Sequence, residues 1–253
     1  MTAGDAGAAG TAAADGAAKS IPARERLIFA LDVPTPAAAR ALVERLGEAV
    51  SFYKVGLELA MDAGYWPLVD WLRGRSARVF CDLKLFDVPE TVGRAVARLA
   101  GGGADFVTVH GNDGMLRAAV AAKGEGGLRV LAVTALTSLD RGDLDDLGFA
   151  VDVDALVLSR ARRALALGCD GVVSSGLEAA ALRAELGPRL LIVVPGIRPV
   201  ANIDDQKRTV DVEEAFRRGA DHIVVGRPIR DAPDPRAAAE AIQERIARLF
   251  PEG

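Results

Sequence analysis

Three charged residues within six positions, Asp82, Lys84 and Asp87, stand at the end of an otherwise apolar run from Val79 to Leu85. Read as a strand, this run puts Phe80, Asp82 and Lys84 on one face and Val79, Cys81 and Leu83 on the other, because side chains alternate along an extended chain. A carboxylate and an ammonium therefore point the same way out of a segment apolar enough to be buried. Burying a charge is costly unless it is paired and hydrogen-bonded. A structural ion pair at a strand end is one account of the pattern. The other is an active site, where buried and mutually perturbed charges concentrate.

The same signature recurs along the chain. Ala30-Leu31-Asp32, Phe52-Tyr53-Lys54 and Thr108-Val109-His110 each close an apolar run with a polar side chain that shares parity with the residue two before it. Two further segments combine glycine with arginine: Pro195-Gly196-Ile197-Arg198-Pro199, followed by Asp205-Gln206-Lys207-Arg208, and Gly226-Arg227-Pro228-Ile229. Glycine lets backbone N–H groups approach an anion, and arginine adds a bidentate charge. The chemistry on offer is thus a row of fixed charges plus a phosphate cradle.

These residues need a scaffold that brings consecutive strand ends together. Strands are predicted at Leu27–Val33, Ser51–Gly56, Arg78–Lys84, Asp105–His110, Leu128–Thr134, Gly171–Ser174, Leu190–Val194 and His222–Val225. Helical periodicity separates them, as in Pro36–Leu46, Glu90–Leu99, Ala155–Leu167, Leu177–Leu186 and Val212–Arg218, and Ala237–Leu249 closes the series. Eight strand-then-helix units imply an α/β fold closed as a single (β/α)₈ TIM barrel, with chemistry at the C-terminal ends of the strands and phosphate at the loops after strands seven and eight. An open doubly wound sheet would present a glycine-rich first turn, and none follows the first strand.

Composition narrows the class. The 253 residues are half hydrophobic and carry a net charge of −4 without a basic block, which argues against nucleic acid and anionic membrane surfaces as partners. No apolar run reaches the roughly 18 residues of a membrane span. Cys81 and Cys169 share no metal or redox spacing, so reduced core thiols and a cytoplasmic protein are expected. Residues 1–20 are rich in Ala and Gly and lack the basic and apolar regions of a secretion signal, so a disordered tail is expected, with the barrel occupying 21–253.

Taken together, Ala30-Leu31-Asp32, Tyr53-Lys54-Val55-Gly56, Asp82-Leu83-Lys84 with Asp87-Val88-Pro89 and Thr91, Val107-Thr108-Val109-His110, Val133 to Ser138, Pro195-Gly196-Ile197-Arg198, Asp205-Gln206 and Val225 to Ile229 resemble the bacterial orotidine 5′-phosphate decarboxylase family from about Leu27 to the last helix. The departures are mild: Val88 stands where the family often has Ile. The resemblance implies conversion of orotidine 5′-monophosphate to uridine 5′-monophosphate and CO₂, a homodimer, and no metal or organic cofactor. It implies Lys84 as proton donor, working with Asp82, Asp87 and Lys54. It places Asp32 on the ribose hydroxyls, Thr137 on the base or the charge network, and Gln206, Gly226 and Arg227 on the phosphate, with Arg198 supporting their loop. Asp87 and Thr91 would reach the site of the other subunit.

The D-x-K-x-x-D core is shared with Mg²⁺-dependent sugar-phosphate decarboxylases and synthases, which keeps that activity open, as it does a Schiff-base aldolase or a catalytically silent phosphate-binding barrel. His110 is expected beside the charge network and His222 at the opposite end of the barrel. Ser174-Ser175 has no His and Asp partners in a triad arrangement, which argues against nucleophilic hydrolysis.

Overall fold

The strands are largely apolar on both faces, as a parallel sheet covered on both sides requires. The computed structural model describes residues 19–136, 139, 141–148, 150–197 and 210–251. Its strands are β1 (Leu27–Ala30), β2 (Phe52–Gly56), β3 (Arg78–Leu85), β4 (Phe106–His110), β5 (Arg129–Val133), β6 (Gly171–Val173), β7 (Leu191–Val194) and β8 (His222–Val225). They pair in parallel in chain order, and β8 returns to β1 to close the barrel. The helices are α1 (Pro36–Leu46), α2 (Leu57–Ala60), α3 (Tyr65–Gly74), α4 (Pro89–Gly101), α5 (Asp113–Ala122), α6 (Arg141–Asp146), α7 (Val153–Ala166), α8 (Ala179–Leu186), α9 (Val212–Arg217), α10 (Arg227–Arg230) and α11 (Pro235–Leu249). No helix among the described residues is long and apolar enough to cross a membrane.

Strand parity sorts the core into two shells. Ile28, Ala30, Phe52, Phe80, Phe106, Leu131, Leu191, Val193 and Val224 fill the barrel interior. Their neighbours, such as Phe29, Tyr53, Val79, Cys81 and Val107, face the helices. Within the interior Phe106 meets Phe52 edge-on with centroids 5.0 Å apart and Phe80 at 5.8 Å.

A repeated turn ties the bottom of the barrel together. Gly103-Ala104-Asp105, Gly168-Cys169-Asp170 and Gly219-Ala220-Asp221 each follow a helix and lead into an even-numbered strand. Each glycine has positive φ, the conformation that ends a helix at least steric cost. Each aspartate then accepts the N–H of the second residue of the preceding strand: Val79 to Asp105, Val130 to Asp170 and Ile192 to Asp221, all at 2.8 Å. Each is also paired with a cation, Arg78 at 3.0 Å, Lys123 at 2.7 Å, and Lys19 with Arg183 at 2.8 and 2.7 Å. The interlock holds register between neighbouring strands at the end remote from the polar strand termini.

The structure moves several expected boundaries. β1 stops at Ala30, so Asp32 lies on the following loop, although Leu31 N still reaches Lys54 O at 2.9 Å. Lys54 is followed by two more strand residues and is not terminal in β2. Lys19, assigned from sequence to the tail, donates to Asp221 and to Leu190 O, and Ile21 packs against the inner shell. The ordered contacts of the barrel therefore begin before residue 21. Residues 1–18 of the expected tail lie outside the described residues.

His222 sits in the barrel floor as expected. Its Nδ1 lies 2.9 Å from Glu25 O, and since a carbonyl only accepts, Nδ1 carries the hydrogen. That leaves Nε2 as a bare lone pair with no described partner, among Phe52 and Phe106. Burial holds this imidazole down at about 4 against an ordinary 6.5. The unfolded chain thus takes up a proton at a pH where the folded chain does not, so this contribution to stability is complete above 6.5 and is lost as pH falls toward 4. The loss is on the order of 3 kcal/mol. The melting temperature of His222→Leu is expected to fall less between pH 7 and pH 4.5 than that of the unaltered protein; equal falls would assign the acid sensitivity elsewhere.

Candidate active site

The C-terminal ends of the strands open into a cavity of about 430 Å³. One wall carries charge from β1 to β3: Asp32, Lys54, Asp82 and Lys84. Pro195, Gly196, Gly226, Arg227 and Arg230, from the ends of β7 and β8, continue this lining on the far side of β1, where Arg230 donates to Asp32 O at 2.7 Å. The floor is apolar, formed by Ala30, Phe80, Val133, Val173 and Val224. An elongated ligand with an anionic end would therefore span the barrel mouth, its anion at β7 and β8 and its other end over β3.

The charged wall is a chain of ion pairs. Lys54 Nζ lies 2.9 Å from Asp32 Oδ1 and 3.6 Å from Asp82 Oδ2, and Lys84 Nζ lies 2.9 Å from the same Asp82 oxygen. Asp82 and Lys54 are nearly buried, each side chain 12% exposed. Burial works against ionisation of Asp82, but Lys54 and then Lys84 outweigh it and hold the carboxyl below its ordinary value. Burial likewise opposes the charge on Lys54, and Asp82 and Asp32 overcome it to hold that ammonium above the usual lysine value. Lys84 is more open, 40% exposed toward the cavity.

Backbone irregularity on β3 sets the aim of Lys84. β3 and β4 pair at Cys81↔Val107 and next at Leu85↔Val109, four steps on one strand against two on the other. Within this bulge Lys84 takes φ 48°, the left-handed region that a residue with a Cβ disfavours. The expected parity survives, since Asp82 and Lys84 line the cavity while Leu83 and Leu85 pack outward, but the simple ladder does not.

The structure brings Asp32, Lys54, Asp82, Lys84, Gly226 and Arg227 to one cavity. Asp87 and Thr91 do not join them. Asp87 is exposed on the loop after β3, accepting from Val88 N at 2.6 Å, and Thr91 lies in the first turn of α4 beside Arg94. Phe86 and Val88, which flank Asp87, are 64% and 62% exposed. Thr137, Arg198 and Gln206 lie outside the described residues. His110 is half-buried, its ring edge-on to Phe86 at 5.3 Å rather than lining the cavity. Burial, then Arg160 and Lys84, keeps it below its ordinary value. Ser174 and Ser175 both donate to the buried Glu178, a local tie and not a nucleophile.

Two residues of the site escape the sequence reading. Thr108 donates to Asp82 Oδ1 at 2.8 Å; its inward parity was legible, but a strand threonine is unremarkable by type. Arg230 lines the cavity one helical turn after Arg227, donates to Asp32 O at 2.7 Å and pairs with Asp231 at 2.6 Å. Its spacing from Arg227, one turn along the same helix, was the available signal. Among the described residues no three His, Cys, Asp or Glu side chains converge as a metal site, because the carboxylates here alternate with lysines.

Known proteins share both the sequence and the barrel. A family model described as orotidine 5′-phosphate decarboxylase / HUMPS family matches residues 25–242. An orotidine 5′-phosphate decarboxylase of Methylococcus capsulatus is 63% identical over 237 residues, covering 93% of this chain and 97% of the relative. One from Xanthomonas euvesicatoria is 51% identical over 234 residues, covering 92% and 96%. The crystal structure of orotidine 5′-phosphate decarboxylase from Lactobacillus acidophilus superposes with a TM-score of 0.79 at 34% identity, covering 88% of this chain and 99% of that one.

Removing Lys54 tests the charge chain directly. Lys54→Met leaves the buried Asp82 carboxylate with Lys84 alone, and breaking a buried pair from one side costs roughly 3–5 kcal/mol. The melting temperature is expected to drop by about 10 °C, and the Asp82 carboxyl resonance to titrate at higher pH. An unmoved melting temperature and titration would show that Lys54 does not hold the carboxylate ionised.

Proposed function

The chain belongs to the orotidine 5′-phosphate decarboxylase family, and from that premise we infer that it converts orotidine 5′-monophosphate to uridine 5′-monophosphate and CO₂ in pyrimidine biosynthesis, with the charged wall of the cavity as its catalytic apparatus. The observation that carries the assignment of roles is the Lys54–Asp82–Lys84 chain sharing one cavity with Gly226 and Arg227 over apolar residues.

The reaction breaks the bond between C6 and the carboxylate carbon. CO₂ departs and the electron pair stays on C6, in a vinylic orbital that no adjacent carbonyl is placed to delocalise. The protein must meet that charge with charge. Lys84 supplies an ammonium at the cavity end of β3, stabilises the developing carbanion, and delivers a proton to C6; solvent then restores the ammonium. Asp82 sits where the substrate carboxylate enters and holds the Lys84 side chain in place through their 2.9 Å ion pair. The array is assembled before substrate arrives, so little reorganisation is required when the bond breaks.

Binding uses the other groups. Asp32 receives the ribose hydroxyls, with Lys54 bridging it to Asp82. Gly226, Arg227 and Gln206 hold the phosphate, with Arg198 supporting their loop, and Thr137 meets the base or the charge network. The phosphate does not react, so its binding energy serves to position the pyrimidine over Lys84. Asp87 and Thr91 stand outside the cavity of their own chain, on and beside an exposed loop that also presents Phe86 and Val88. This supports a homodimer in which that loop completes the partner's site. The enzyme works in the cytoplasm on this reading.

Incubation of the pure protein with orotidine 5′-monophosphate in EDTA is expected to show loss of the substrate's pyrimidine absorbance. Lys84→Ala is expected to lose at least the roughly 10²–10³-fold seen when a preorganised catalytic donor is removed, while still binding uridine 5′-monophosphate. Turnover near normal in that variant would remove Lys84 from the mechanism.

Arg227→Ala is expected to weaken uridine 5′-monophosphate by roughly 10- to 100-fold, the worth of a charged hydrogen bond, and to leave uridine binding nearly unchanged. Equal losses by titration calorimetry would make Arg227 a structural residue.

The shared site has its own test. Inactive Lys84→Ala and Asp87→Ala chains, unfolded together and allowed to re-form dimers, should recover about a quarter of normal activity, because half the dimers are mixed and one site in each of those carries neither defect. If mixed dimers form by mass and stay inactive, Asp87 acts within its own chain.

A further inference from the structure

Thr108 closes a ring of contacts around the two charged residues of β3. Its side chain is fully buried, so no solvent competes for its hydroxyl. The backbone N–H of Lys84 donates to Thr108 Oγ1 at 2.9 Å, and Thr108 Oγ1 lies 2.8 Å from Asp82 Oδ1. Directions are forced. An amide N–H only donates, and the Asp82 carboxylate, flanked by Lys54 and Lys84, only accepts. The single hydroxyl hydrogen therefore goes to Asp82, and an oxygen lone pair takes the Lys84 amide. The other Asp82 oxygen receives Lys84 Nζ at 2.9 Å. Thr108 donates to Asp82, the Lys84 ammonium donates to Asp82, and the Lys84 amide donates to Thr108.

The placement of this ring on the bulge gives it meaning. Between Cys81 and Leu85 β3 leaves register with β4, so the amide of Lys84 loses its carbonyl in the ladder. A buried amide without an acceptor is costly, and so is a lysine at φ 48°. Strained backbone persists where its surroundings over-determine it. Here the hydroxyl of Thr108 replaces the missing carbonyl and, with the same atom, fixes the carboxylate that the lysine side chain grips. Thr108 is absent from the cavity lining, so it acts through its neighbours.

We propose that Thr108 is a positioning residue for the decarboxylation: its hydroxyl holds the left-handed turn at Lys84 and the Asp82 carboxylate in fixed relation, and so aims the ammonium at the reacting carbon. The proposal rests on the reading of Lys84 as proton donor. It assigns Thr108 no contact with substrate. Loss of the hydroxyl should therefore fall on kcat rather than KM.

The test compares Thr108→Val, which keeps the shape and removes both hydrogen bonds, with Thr108→Ser, which keeps the hydroxyl and removes the methyl group. Two readouts are taken: steady-state turnover of orotidine 5′-monophosphate, and hydrogen exchange at the Lys84 amide followed by NMR. Thr108→Val is expected to lose roughly 10- to 100-fold in kcat, the scale of a misaimed catalytic group, with KM changed by less than about threefold. Its Lys84 amide should exchange faster than in the unaltered protein. Thr108→Ser should return both readouts most of the way. A serine variant as impaired as the valine variant would trace the loss to the methyl group's packing and overturn the proposal. So would an unchanged exchange rate at Lys84 in Thr108→Val. If the unaltered protein fails to turn over the substrate, the proposed activity falls. The exchange comparison then still shows whether the hydroxyl holds the turn, and a turn held without turnover overturns the catalytic role of Thr108.

Discussion

A buried carboxylate between two ammonium groups is the constraint on which the rest of this molecule depends. Asp82 cannot be ionised alone at 12% exposure on a barrel strand. Lys54 on β2 and Lys84 on β3 make it tolerable, and Asp32 in turn satisfies Lys54. Each member is stabilised by its neighbour of opposite sign, so removing any one leaves a charge exposed to desolvation cost without its compensation. Such an array is weak evidence of stability, since an apolar substitute would pack at least as well. Its retention makes sense as chemistry: it presents one cation at a fixed place in a partly dehydrated cavity.

The barrel provides what that array requires. Parallel closure brings the ends of β1, β2 and β3 side by side, and parity points Ala30, Lys54 and Asp82 inward while Phe29, Tyr53 and Cys81 face the helices. At the bottom, aromatic rings and the three aspartate turns fix register. Because that end is locked, the top can accept the bulge in β3 and the left-handed Lys84 without loss of order. Stability and chemistry are thereby divided between the two ends of the same strands.

The cavity lining combines two kinds of polar group. Lys54 and Asp82 with Lys84 come from β2 and β3 and Asp32 from the loop after β1, while Gly196, Gly226, Arg227 and Arg230 come from the ends of β7 and β8. Arg230 links the two groups, since it shares α10 with Arg227 and donates to the backbone of Asp32. Ala30, Phe80, Val133, Val173 and Val224 give the same cavity an apolar lining beside these charges.

Much of this was legible in the residues alone. Eight buried strands between helical segments read as a barrel, because two-sided burial leaves continuous apolar runs and helices leave a different period. Asp82 and Lys84 stood out because charge inside such a run conflicts with burial, and Asp32, Lys54 and Arg227 followed from their places at successive strand ends. The tertiary structure alone decided the rest. The left-handed Lys84 depends on how β3 pairs with β4, and a threonine in a strand shows no sign that its hydroxyl will replace a ladder carbonyl. Lys19 reads as tail until barrel closure places Asp221 beside it, 202 residues along the chain. The exclusion of Asp87 and Thr91 from the cavity follows from the course of one loop. Periodicity and charge conflict are properties of neighbouring residues, so the chain displays them before it folds; a shared hydrogen bond or a cross-barrel ion pair is a distance between remote residues, and only packing sets that distance.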